Sequence, residues 1–154
     1  MHITIIYVGR SLTKEFAAAA TMYEQRLRPF AQLSWLEIRP SRQKNTDDLI
    51  KDDSTAILSK IQPNDQLILL DQHGKLLTNE AFAVSFAEMA AKQGRLVFVI
   101  GGAYGVSPEV VARANFVWSL SNLVFPHQLV QVILLEQLYR TFALQSGHPY
   151  HHGE

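Results

Sequence analysis

Three short segments of the 154-residue chain carry residue types and spacings that could do chemistry. The first is Ile100-Gly101-Gly102-Ala103-Tyr104-Gly105, a glycine-rich turn directly after an apolar run. Glycines let backbone amides approach a ligand closely, although a plain tight turn would have the same composition. The glycines fall at i, i+1 and i+4, whereas the dinucleotide fingerprint requires i, i+2 and i+5 after the first strand, so that fingerprint is absent. The second segment is Ser119-Leu120-Ser121-Asn122-Leu123-Val124-Phe125-Pro126-His127-Gln128. Its middle is apolar while its ends carry hydroxyl, amide and imidazole groups, which suits either a loop folded round a ligand or a hydrophobic staple ahead of a helix. The third is the tail Gly147-His148-Pro149-Tyr150-His151-His152-Gly153-Glu154. A tail of this kind is ordinarily a frayed end. His148, His151 and His152 lack a cysteine or a well-spaced acid to complete a ligand set, so no metal is expected.

The elements that must position these segments follow from hydrophobic periodicity. Ile3 to Val8 is a β-branched run without polar alternation and reads as a strand buried on both faces. Phe16, Ala19, Ala20, Tyr23 and Leu27 recur at helical spacing, so a helix is expected over 13–28, stopped by Pro29. A strand over 33–38, a Pro/Ser/Arg/Gln/Asn-rich loop over 39–46 and an amphipathic helix over 47–61 come next. A third strand is expected over 66–70. Asp71-Gln72-His73-Gly74 reads as a turn by composition, and Thr78 as the cap of a helix running to about Gln93. A strand over 96–100 leads to the glycine turn; Ser107-Pro108-Glu109 has the order of N-cap, first helical residue and first-turn acid for a short helix over 108–114. A fifth strand near 116–120 precedes a last helix from about Pro126 to Gln145, apolar nearly all round and therefore expected to be buried, partly against another subunit. Strands alternating with helices imply an α/β fold, a mostly parallel sheet with helices on both faces. Ligands in such sheets sit beyond the carboxyl ends of the strands, which is where Leu70, the glycine turn and the 119–128 segment fall.

Composition narrows the class. A chain of this length with 47% apolar residues can bury one core, so a single domain over 1–154 is expected. There is no cysteine, hence no disulfide framework, thiolate metal site or cysteine nucleophile. No apolar run approaches the ~18 residues a membrane span needs, and the start lacks a signal-peptide pattern, so a cytoplasmic protein without a membrane partner is expected. Formal net charge is zero, but it is unevenly spread. Residues 1–44 hold seven Lys/Arg and three Glu, net +4, whereas residues 45–94 hold four Lys and eight acids, net −4. Arg26, Arg28, Arg39, Arg42 and Lys44 are either a solvated face and loop or the footprint of a nucleic acid.

The GG-x-x-G turn, the Ser-Leu-Ser stretch, Phe125-Pro126-His127-Gln128, Leu135-Glu136-Gln137-Leu138-Tyr139-Arg140 and Gly147-His148-Pro149-Tyr150-His151 together resemble the RlmH family, SPOUT-class methyltransferases of large-subunit ribosomal RNA. Val8-Gly9, Leu70-Asp71 and Gly74-Lys75 extend the resemblance over essentially the whole chain. The resemblance implies a C-terminal trefoil knot, a homodimer and S-adenosyl-L-methionine as methyl donor. It further implies a cofactor pocket formed by Leu70, Gly101, Gly102, Ser121, Asn122, Leu123, Val124, Phe125 and Pro126. The implied reaction is methylation of N3 of a pseudouridine in 23S ribosomal RNA on the assembled ribosome. A weakly acidic imide must then lose its proton, so positioning and a nearby base or cation should supply most of the catalysis. His127, Arg140, Tyr150 and His151 are the candidates. His127 is equally suited to a capping or core role, and Arg140 to an ion pair with Glu136. Tyr150 could stack on a base, and His151 could exchange a proton near neutral pH. A side chain added at Gly102 is expected to block the cofactor. Two other readings compete: a SPOUT methyltransferase of another RNA such as transfer RNA, and a non-catalytic nucleotide- or ribosome-binding α/β module.

Overall fold

The fold is drawn from a computed structural model that describes residues 1–147. β1 (His2–Val8), β2 (Gln32–Ile38), β3 (Gln66–Leu76), β4 (Leu96–Ile100) and β5 (Phe116–Ser119) build one sheet in the order β2-β1-β4-β3-β5, with every pairing parallel. β4 lies in the middle and is buried along its whole length, as its unbroken LVFVI run requires. The helices are α1 (Lys14–Leu27), α2 (Thr46–Leu58), α3 (Asn79–Ala90), α4 (Pro108–Arg113) and α5 (His127–Gln145).

Alternate side chains of the central strands feed two separate cores. Ile3, Ile5, Ile68 and Phe98 pack under α1, α3 and α5 with Phe82, Phe86, Leu134 and Leu138. Ile6, Leu67, Leu69, Val97 and Val99 pack on the opposite face against Ile57 of α2 and Val110 of α4. In the larger core Phe82 stacks on Trp118 with ring centroids 3.7 Å apart, and Phe30 stacks on Phe142 at 5.2 Å. Such pairs add about 1 kcal/mol beyond the area they bury. α5 has no fully exposed residue from His127 to Leu144, because α1 and α3 flank it.

Several boundaries differ from the sequence expectation. The helix expected to reach Ile61 stops at Leu58, because the next bonds tighten to the i−3 carbonyls: Lys60 N–H to Ile57 and Ile61 N–H to Leu58. Asn45 caps α2 by accepting from Asp47 and Asp48. Ser107 precedes α4 as expected but makes no side-chain cap bond to it. The larger difference concerns residues 71–74, which do not end the third strand. They form an irregular bulge inside it, since Leu70 and Lys75 both register with Trp118 and Leu76 then pairs with Ser119. Asp71 Oδ1 accepts the His73 N–H at 2.8 Å, giving the composition of a turn within a strand. Gly74 lets the bulge close on β5, for a Cβ there would stand 2.7 Å from the Trp118 carbonyl carbon.

Candidate functional site

The carboxyl ends of β3, β4 and β5 enclose a cavity of about 460 Å³, within the range of small-molecule sites. Three chain segments wall it: the bulge after Leu70, the glycine turn and the loop leaving β5. Trp118, Leu120, Phe125 and Val130 supply apolar surface, while Ser119, Ser121, His127 and the turn backbone supply polar groups. Of the residues expected to hold a cofactor, Leu70, Gly101, Gly102, Ser121, Leu123, Val124 and Phe125 line the cavity. Asn122 and Pro126 belong to the same loop but do not line it. The bulge residues Asp71, Gln72 and His73 also line it; the exit after Leu70 is one of the strand ends where a ligand was expected, but these three were not among the expected cofactor-binding residues.

Local bonds set the shape of each wall. In the glycine turn, Gly105 N–H donates to the Gly102 carbonyl at 3.0 Å, and Gly105 takes φ +84°, a value few other residues tolerate. A side chain at Gly101 would meet Val106 Cγ1 at 2.7 Å. At Gly102 the outcome differs from expectation: an added Cβ would face Asp53 Oδ2 at 3.0 Å and Val8 Cγ1 at 3.5 Å. Substitution there displaces the turn from behind. After β5, Ser119 Oγ donates to the Ser121 carbonyl at 2.9 Å and Ser121 Oγ accepts the Leu123 N–H at 2.9 Å. These bonds hold a tight loop that presents Leu123 and Val124, 70% and 79% exposed, at the cavity mouth.

His127 opens α5 at the cavity wall. Its Nδ1 is buried and has no hydrogen-bond partner among the described residues. Burial pushes its pKa below the usual histidine value, so the ring is neutral at neutral pH and has a nitrogen able to accept a proton. Gln128 next to it accepts the Thr13 N–H at 2.8 Å. Ser11 in turn donates to Glu37 at 3.0 Å, so the loop after β1 is fastened on the α5 side and the β2 side. Arg140 does not line the cavity. It donates to Glu136 Oε1 through Nε at 2.9 Å and Nη2 at 2.6 Å, the ion pair that their spacing allowed. Thirteen residues separate it from His127, roughly 20 Å along an α-helix. Tyr150 and His151 lie outside the described residues, as do His148 and His152.

A parallel α/β sheet with a glycine turn and a half-apolar cavity at its carboxyl rim has the architecture in which α/β domains bind small ligands. Comparison with known proteins makes the class specific. The model of the family described as "Predicted SPOUT methyltransferase" matches residues 1–151. A protein of Gloeobacter violaceus named ribosomal RNA large subunit methyltransferase H is 38% identical, over 99% of this chain and 100% of its own length. Proteins of the same name from Clostridium novyi and Carboxydothermus hydrogenoformans are each 37% identical, over 98% of this chain and 99% of theirs. The chain belongs to the SPOUT methyltransferase family, and the knotted C-terminal region comes with that membership.

Proposed function

We propose that this chain transfers a methyl group from S-adenosyl-L-methionine to N3 of a pseudouridine in 23S ribosomal RNA, as a homodimer acting on the assembled ribosome in the cytoplasm. The observation that carries the reading is the cavity at the carboxyl rim, whose walls are the segments that resemble the methyltransferase H family and whose relatives bear that name over their full length. The residues present fit the donor. Leu70, Leu120 and Phe125 offer apolar cover for a purine, the turn backbones offer donors and acceptors for its edge, and His127 Nδ1 is a buried polar atom in need of a partner. Adenosylmethionine, when bound, supplies an electrophilic methyl group on a sulfonium.

The protein's own part is positioning and proton management. His127 at the cavity wall is neutral and is the proton acceptor this reading favours; polar groups of bound substrate beside the ring would offset the burial that lowers its basicity. The separation of Arg140 from His127 supports a composite site, in which the Arg140 guanidinium of one subunit lies beside the cavity of the other and steadies the anionic base. The exposed Leu123 and Val124 suit coverage by the partner subunit or by RNA. Neither the net charge nor the cavity calls for a strongly basic surface, and a folded ribosome offers shape and protein contacts in place of a strong field.

The test is transfer of labelled methyl to ribosomes, isolated subunits and transfer RNA from cells lacking the activity, with the modified nucleotide mapped by mass spectrometry. The expected product is methylated pseudouridine in the large-subunit RNA of intact ribosomes. Label in transfer RNA would redirect the activity to another substrate. Phosphate or flavin nucleotide binding without any transfer would make the domain a binding module. The composite site has its own test, mixing Gly102→Val subunits with Arg140→Ala subunits. Each variant alone is expected to be at least tenfold slow, and the mixed population to regain up to about a quarter of wild-type activity through dimers that hold one intact site. A mixture no better than its parents would place Arg140 and the cavity in the same subunit.

A further inference from the structure

Asp53 is only 3% exposed and forms no ion pair with any described residue. A carboxylate in the interior is costly unless its oxygens are bonded, so its contacts show why it is there. Its Oδ1 accepts the N–H of Ser41 at 2.7 Å, and Asp52 beside it accepts the Ser41 hydroxyl at 2.9 Å. Ser41 sits in the loop that exposes Arg39, Arg42 and Lys44. The other oxygen, Oδ2, faces Gly102 so closely that a Cβ there would stand 3.0 Å away. The next residue on the helix, Ser54, accepts the N–H of Ser107 at 2.8 Å in a buried bond at the far end of the glycine turn. Three successive residues of α2 thus bond the basic loop on one side and Ser107, just after the glycine turn, on the other, while Asp53 Oδ2 fills the space behind Gly102.

We propose that Asp53 is a positioning residue that sets the glycine turn at the cofactor cavity and links it to the 39–45 loop, so that cofactor in the cavity and RNA phosphates on Arg39, Arg42 and Lys44 favour one another. The proposal rests on the reading of the cavity as the adenosylmethionine site. None of the loop residues lines the cavity, and the bonds of Asp52, Asp53 and Ser54 are the route this structure offers between the two. Coupling of this kind is reciprocal: whatever the cofactor does to the loop, RNA on the loop does to cofactor affinity.

Hydrogen exchange of the full-length protein with and without saturating adenosylmethionine tests it. In the wild type, cofactor is expected to slow exchange over 101–107 and also, by about fivefold or more, at the Ser41 amide. In Asp53→Ala the cavity segments should still respond while 40–44 does not. Asp53→Asn, which keeps an oxygen for the Ser41 N–H, should restore most of the loop response. A general loss of stability would speed exchange with and without cofactor alike and would not remove the difference between the two. If Asp53→Ala does not fold, the wild type and Asp53→Asn decide the matter. Slowing at the cavity with none at 40–44 in the wild type overturns the proposal and leaves the cofactor reading standing; no slowing anywhere overturns the cofactor reading and the proposal together.

Discussion

The two rims of the sheet are built on opposite principles. At the amino rim, where β3, β4 and β5 begin, polar groups are joined to one another. Asp65, 2% exposed, takes two hydrogen bonds from Arg95 at 2.9 and 2.6 Å and one from the Gln62 N–H at 2.7 Å. Arg113 reaches the carbonyls of Gln62, Pro63 and Asp65, and Asn115 exchanges two bonds with Leu67. At the carboxyl rim the chain instead leaves a cavity, exposes Leu123 and Val124, and buries His127 Nδ1 without a partner. Each rim buries one side-chain atom without a partner among the described residues, Gln66 Oε1 at the amino rim and His127 Nδ1 at the carboxyl rim, but only the carboxyl rim opens into a cavity beside exposed aliphatic side chains. A residue's value to stability and its value to function should therefore separate according to the rim it occupies.

Substitutions can break that separation. The largest stability effect is expected at Gly94, which takes φ +112° at the amino rim and would put an added Cβ 1.8 Å from the Asn64 carbonyl oxygen. Gly94→Ala should cost about 3 kcal/mol in urea unfolding, while the folded fraction binds cofactor normally. Asp65→Ala should cost about 2 kcal/mol, less than a fully buried pair because Arg95 is one-third exposed. Burial alone would raise the Asp65 carboxyl, but the Arg95 hydrogen bonds, the Gln62 N–H and the Arg95 charge outweigh it and hold the group below its usual range. Unfolding then takes up a proton in acid, so the stabilisation is present above about pH 4 and lost as pH falls below that. Unfolding measured against pH should show wild type and Asp65→Ala converging in acid.

At the carboxyl rim the order reverses. Gly102→Val should weaken adenosylmethionine binding at least tenfold by calorimetry, at about 1 kcal/mol of stability, as the turn shifts away from Asp53 and Val8. Leu123→Ser should change stability by no more than about 0.5 kcal/mol, since the side chain is mostly exposed, yet slow methyl transfer. A carboxyl-rim variant that costs several kcal/mol of stability while its folded fraction binds cofactor normally would contradict the division between the rims.

The elements of this division were unequally legible in the sequence. β1 and β4 declared themselves through unbroken apolar runs, α1 through periodicity stopped by Pro29, and α5 through a long stretch begun at Pro126 that is apolar nearly all round. The glycine turn and the 119–128 segment stood out because glycine clustering and an apolar loop interior are unusual in surface connections. Other features depend on contacts between distant segments and leave no local trace. The bulge at 71–74 reads as a turn because Asp71 does make a turn-like bond, and only its pairing with Trp118 keeps it in the strand. Asp53 lies in an Asp-Asp-Ser stretch that looks like a solvated helix face. Its burial arises from the Ser41 loop and Gly102, 12 and 49 positions away. The unpaired Nδ1 of His127 is likewise invisible until β5 and α5 are packed together.

Photochemical crosslinking of labelled adenosylmethionine to the full-length protein, with the attachment sites mapped by mass spectrometry, tests most directly whether the carboxyl rim is the cofactor site. Label is expected in 70–73, 101–105 and 119–125, and competed by unlabelled cofactor. Competed label instead in the second cavity, about 370 Å³ between α1 and β2 and lined by Glu24, Arg28 and Trp35, would contradict the assignment.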